Sequence, residues 1–194
     1  KIYFIPKQYA KMVAKGYANG FILWGSCGLG KTYSVIRAFK EENKPFVFCS
    51  GFTTPLQFYT FLYSHRKENI IFDDVGGLLS NSINIDILKS ALYSQEGVRI
   101  VQYQTSSSKL KVPERFIFEG TITILVNDIG QSKDLKAVAD RVLFHELKLN
   151  YEQISSIIEE IGKLPYKDMK KEEKVEIINW IKENTSIATN NLNL

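Results

Sequence analysis

Eight consecutive residues constrain this chain more than any others: Gly25-Ser-Cys-Gly-Leu-Gly-Lys31-Thr32, which fits the pattern G-x-x-x-x-G-K-[ST]. Glycines at these spacings let backbone amides converge on an anion without side-chain clashes, and a helix that follows directly aims its positive end at the same point. Lys31 would then reach the β- and γ-phosphates of a nucleotide, and the Thr32 hydroxyl would ligate magnesium. Any glycine-rich turn can join a strand to a helix, so context decides. Here Phe21-Ile-Leu-Trp24 is a continuous apolar run, as in a strand buried on both faces, and residues 31–42 read as a helix. The expected contacts of a bound triphosphate are Gly25, Ser26, Cys27, Gly28, Leu29, Gly30, Lys31, Thr32 and Tyr33.

The same alternation continues along the chain. A helix is expected over residues 6–18, opened by Pro6 and broken by Asn19-Gly20. Strands are expected at Pro45-Phe-Val-Phe-Cys49, Asn69-Ile-Ile-Phe72, Thr121-Ile-Thr-Ile-Leu-Val126 and residues 142–147, with helices near 54–64 and 83–93. Residues 98–104 and 115–118 flank a polar stretch and suit a hairpin. Strands alternating with helices give a parallel α/β sheet covered on both faces. From Tyr151 the pattern is helical only, with amphipathic stretches at 152–161 and 171–183. The boundary is placed near residue 150, leaving an ATP-binding core over 1–149 and a small all-helical lid over 150–194.

Ile70-Ile-Phe-Asp73-Asp74 supplies the acid that a phosphate loop needs. A hydrophobic strand ending in carboxylates places them at the sheet's C-terminal edge, beside the loop. Asp73 would hold magnesium, through water. Asp74 falls where many ATPases carry the glutamate that polarises the attacking water. Aspartate is one methylene shorter, and a general base must come within about 2.6–3.2 Å of its target or act through another water. Slow hydrolysis, or hydrolysis completed by a partner, is therefore expected.

With both elements in place the chain resembles AAA+ P-loop ATPases over roughly residues 20–150. Thr123-Ile-Leu-Val-Asn127 resembles the family's sensor 1 strand, which implies that Asn127 bonds the γ-phosphate or the lytic water; taken alone, Asn127-Asp128 reads equally as the start of a turn. Asp134-Leu-Lys-Ala-Val-Ala-Asp-Arg141-Val resembles the helix that ends in an arginine finger, which implies that Arg141 faces a neighbouring subunit's ATP. A surface arginine without that role is the plainer alternative. The segment from Val98-Arg99 to Phe118-Glu119-Gly120 resembles a hairpin of Holliday-junction branch-migration motors, and the paired aspartates resemble those of bacterial replication initiators. The resemblance implies ATP and Mg2+ as cofactors, and a homo-oligomer, a ring or helix and often a hexamer. It also implies a DNA transaction in replication or recombination, with a nucleotide-switched recruitment module as the alternative. Arg99, Lys109, Lys111 and Arg115 are the candidate DNA contacts of the hairpin, or simply keep a loop soluble. Phe52 sits where family members present a pore loop, though a core phenylalanine is the plainer reading.

One departure from the family concerns the lid. No arginine follows Arg141, whereas the family usually places a sensor 2 arginine there. Either the lid continues beyond Leu194 or the γ-phosphate is read without that residue; Lys174 and Lys182 are possible substitutes. Composition excludes little more. A 44% hydrophobic content rules out disorder, and a net charge of +4 permits nucleic acid without pointing to it. No apolar run reaches the roughly 18 residues that span a bilayer. A soluble, cytoplasmic protein is expected, in the host's cytoplasm if a virus or plasmid encodes it. The two cysteines, Cys27 and Cys49, make no disulfide framework and are expected as small buried residues.

Overall fold

The computed structural model describes residues 2–51, 54–94, 96–104, 111–129, 133–164 and 169–187. In chain order the first elements are α1 (Phe4–Ala14), β1 (Gly20–Trp24), α2 (Lys31–Glu41), β2 (Val47–Cys49), α3 (Pro55–Ser64) and β3 (Asn69–Asp73). There follow α4 (Gly76–Leu79), α5 (Ser82–Leu92), β4 (Ile100–Gln102), β5 (Arg115–Ile117) and β6 (Thr121–Val126). The chain goes on through α6 (Lys133–Ala139), β7 (Leu143–Glu146), α7 (Tyr151–Gly162) and α8 (Lys171–Asn184).

Five strands form one sheet in the order β2-β3-β6-β1-β7, every pairing parallel, while β4 and β5 make a separate antiparallel hairpin. The strands read as unbroken apolar runs because each of their faces meets its own core. Ile22, Ile70, Phe72, Ile122, Ile124 and Val126 point toward α3, α5 and α6. Phe21, Leu23, Ile71 and Leu125 point the other way, to Val13 of α1, Val35 and Phe39 of α2 and Ile154 of α7. A parallel sheet sandwiched by helices is therefore what the alternation of elements implied.

The ends of the elements follow local chemistry. α1 stops four residues earlier than expected because Gly16, at φ 76, closes a Schellman cap: Gly16 N–H bonds the Val13 carbonyl and Tyr17 N–H that of Met12. β2 begins at Val47 rather than Pro45, since proline has no N–H to give a ladder; the Pro45 carbonyl instead accepts from Asn69 Nδ2 at 2.9 Å. Asn150 caps α7 reciprocally with Gln153, at the point where strands give way to helices. α7 buries only Ile154, and α8 buries nothing. α8 is held on α7 by Tyr151, whose hydroxyl donates to the Thr185 carbonyl at 2.9 Å, and by Lys182 paired with Glu159 at 2.6 Å.

Candidate phosphate-binding site

The loop between β1 and α2 folds as it does because three of its glycines occupy positive φ: Gly25 at 151°, Gly28 at 73° and Gly30 at 69°. At Gly25 a second constraint applies, because a Cβ there would lie 2.3 Å from the Leu147 carbonyl oxygen of the chain leaving β7. Gly30 is also the N-cap of α2, so the loop's last amides run straight into that helix's amino end.

Lys31 is the hub. Its Nζ donates to the Gly25 carbonyl at 2.7 Å, the Ser26 carbonyl at 2.8 Å and Asn127 Oδ1 at 2.9 Å. The residue is only 6% exposed, and burial lowers its pKa against the opposing pull of Cys27, Asp73 and Asp74. A buried ammonium whose three bonds all go to neutral oxygens suits an anion. Asn127 follows β6 and also donates from Nδ2 toward Asp74 Oδ1, at 3.4 Å. It thus stands between the lysine and the acid. Asp74 is exposed at φ 54, a left-handed conformation that aspartate tolerates better than most residues. Thr32 Oγ1 donates to Asp73 Oδ2 at 2.8 Å, so the hydroxyl and carboxylate meet across the β1 and β3 edges. They offer two hard oxygens; among the described residues no group of three or more His, Cys, Asp or Glu could hold a metal by itself. Two side-chain oxygens suit magnesium, which keeps much of its water and takes phosphate oxygens.

The structure therefore groups Lys31, Thr32, Asp73, Asp74 and Asn127. Arg141 does not join them. It precedes β7 at the opposite end of the sheet, with β1's five residues, about 16 Å, between the two ends. There the exposed guanidinium bonds its own Ala137 carbonyl and lies 5.5 Å from the centre of the Tyr93 ring. A groove of about 410 Å³ beside it is lined by Tyr17, Asn19, Gly20 and Asp140.

Two expectations need correction. Arg99 is no surface contact for nucleic acid: it is 9% exposed, donates to the Ala91 carbonyl at 3.1 Å and lies over the Phe118 ring. Burial lowers its pKa, and its charge is absorbed at the carboxyl end of α5. Lys111 and Arg115 are exposed, whereas Lys109 and Phe52 lie outside the described residues. Cys27, expected as a buried filler, is exposed on the loop, and Cys49 is half buried; both are free thiols. Lys174 and Lys182 are engaged within the helical part, on the Leu164 carbonyl and on Glu159.

One part of the site escaped the sequence. A cavity of about 470 Å³ adjoins the loop, between the start of α1, the first turns of α2 and one face of α7. Ile2, Tyr3, Gly30, Tyr33, Arg37, Ile157 and Ile161 line it. Of these only Gly30 and Tyr33 are expected from the sequence, since nothing local ties residues 2–3 or α7 to the loop.

A glycine loop opening a helix at the carboxyl edge of a parallel sheet, faced by an acid-ended neighbouring strand, is a P-loop α/β fold. More particularly, the chain has the fold of the AAA+ ATPases. It is similar to AMPPCP-bound DnaA from Aquifex aeolicus, with a TM-score of 0.54 and 19% identity, over 95% of this chain and 56% of that one. It is likewise similar to a DNA replication initiation factor, at TM-score 0.51 and 18% identity over 94% and 55% of the two chains. RuvB from Thermotoga maritima follows at TM-score 0.50 and 16% identity, over 81% and 48%. In sequence the chain is 26% identical over 206 aligned residues to an uncharacterized 36.7 kDa protein of Enterobacteria phage T4, covering 92% of this chain and 63% of that protein. The chain thus spans less than two thirds of that relative and about half of the solved proteins. No family model matches it. Among the described residues no helix is long and apolar enough to cross a membrane.

Proposed function

We propose that this protein binds Mg-ATP and hydrolyses it as an assembled AAA+ ATPase, driving a DNA transaction of replication or recombination. The observation that carries this reading is the Lys31–Asn127–Asp74 chain of bonds beside the Thr32–Asp73 pair. Lys31 and the loop amides hold the β- and γ-phosphates; Thr32 and Asp73 supply the oxygens that hold magnesium. Asp74 orients the attacking water, and Asn127 keeps that carboxylate in register with the phosphate. Magnesium, when bound, neutralises charge on the transferring phosphoryl group. Residues 1–149 act as the ATP-binding core and the helices from 150 as a lid, which closes the 470 Å³ cavity around the base. Arg141, remote from its own loop, completes the site of a neighbouring copy. Likeness to an initiator and to RuvB supports DNA as the polymer acted upon, with Lys111 and Arg115 the exposed cations of the hairpin.

The test is to size the protein with and without a non-hydrolysable ATP analogue and DNA, then to measure turnover in the same mixtures. Nucleotide-driven assembly with DNA-stimulated turnover is expected; failure to bind the analogue at all defeats the proposal. The short Asp74 carboxylate, 3.4 Å from Asn127, favours a second reading, a nucleotide-switched recruitment module with little hydrolysis. Single-turnover measurements separate the two, since DNA does not accelerate a pure switch.

A further inference from the structure

Tyr3, at the amino end of α1, donates its hydroxyl to the Leu29 carbonyl at 2.8 Å, inside the phosphate loop and 26 residues away. Burial raises its pKa, so the phenol stays a proton donor across the neutral range. The consequence comes from peptide planarity. In a trans peptide the carbonyl and the next N–H point in opposite directions, so a bond that fixes Leu29 O also fixes Gly30 N–H, directing it away from Tyr3. That peptide is free to turn over, because Gly30 flanks it at φ 69 and glycine takes either sign of φ at little steric cost. Turned over, it would present a carbonyl where an anion needs a donor. Tyr3 also lines the 470 Å³ cavity, next to Gly30 and Tyr33.

We infer that Tyr3 is a positioning residue: its hydroxyl holds the 29–30 peptide in the anion-binding orientation and links the loop to the occupant of the adjoining cavity. The inference rests on the nucleotide reading above, with the base as that occupant. Sequence alone gives no hint of it, since Tyr3 lies outside the glycine motif and before the first strand.

The experiment titrates MgATP and inorganic tripolyphosphate into the wild-type protein, Tyr3→Phe and Lys31→Ala, with thermal melting of each. Tyr3→Phe keeps the ring and removes one hydroxyl, so its melting temperature should fall by no more than about 5 °C. Both ligands should bind about three- to tenfold more weakly, the range of one lost hydrogen bond. Loop amides, Gly30 among them, should exchange faster with solvent, a readout that ring packing alone does not move. Equal affinities in wild type and Tyr3→Phe overturn the inference. So does a loss confined to MgATP with tripolyphosphate unchanged, because the hydroxyl then acts on the base side only. If the wild-type protein itself binds neither ligand, the nucleotide reading falls first and takes this inference with it, a result seen before any substitution is compared.

Discussion

At the carboxyl end of the central sheet, Lys31, Asn127, Asp74, Thr32 and Asp73 bond to one another within a single chain. At the amino end, Arg141 stands exposed over a groove, bonded among the described residues only within its own helix turn and lying against the face of Tyr93. The first end is a site that one molecule assembles alone. The second supplies a charge with no described carboxylate bonded to it, and a finger that acts in a neighbour has that character. On the proposed function, the difference teaches where binding and turnover should part: binding would belong to one end, rate to both.

Arg141→Ala is the sharpest way to break the comparison. It should leave MgATP affinity unchanged and lower turnover of the assembled protein on the order of 10³-fold, the lower range for a lost arginine finger. Mixing it with Lys31→Ala protein should restore part of the turnover, since each copy then supplies what the other lacks. Full turnover by Arg141→Ala alone would make the amino end an ordinary surface. Next in size is Lys31→Ala, which should weaken MgATP on the order of 100-fold, the loss of about 3 kcal/mol of charge-assisted bonding. Equilibrium titration reads it directly.

Gly25→Ala asks whether the carboxyl end depends on its backbone geometry. The new Cβ would lie 2.3 Å from the Leu147 oxygen, at a φ of 151°. Backbone on backbone cannot give way as a flexible side chain does. A cost of about 3 kcal/mol is expected, a fall of roughly 10 °C in melting temperature for a domain this size. A melt within about 2 °C of wild type would show that the loop has slack.

These contrasts also explain what the sequence could and could not tell. The loop, its strand and its helix were legible because the motif is local and each glycine answers a local need. Grouping Asn127 with Lys31 was legible only through a family likeness: the two lie 96 residues apart, and no periodicity puts β6 between β3 and β1. Arg99 misled because an arginine beside a polar hairpin reads as solvated; what buries it is the Phe118 ring and a carbonyl of α5, neither visible in its neighbourhood. The strap of α1 on α2 was half visible. Lys7, Lys11 and Lys15 recur every four residues on one helix face, but nothing in the sequence names Glu41 and Glu42 as their partners.

That strap gives the smallest expected effect and separates the ends by another route. α1 is tied to α2 at the loop by Tyr3 and at the far end of α2 by the lysines that meet Glu41 and Glu42. Bonding to Lys7, with further help from Lys11 and Arg37, holds the Glu41 carboxyl at about 2, below its ordinary 4.5. A carboxylate with a depressed folded-state pKa contributes stability above the unfolded value and loses it as pH falls toward the folded one, here between about 4.5 and 2. Glu41→Gln should therefore melt about 1–3 °C below wild type at pH 7, as exposed ion pairs contribute little, and the gap should close through that acid window. High salt should narrow it too. MgATP affinity at pH 7 should change no more than about twofold, because Glu41 itself does not line the 470 Å³ cavity, and its partners Lys7 and Arg37, which do, keep their charge. A larger drop in affinity with Glu41→Gln would mean that the strap positions Lys7 and Arg37 at that cavity, and that the far end of α2 and the loop are not independent.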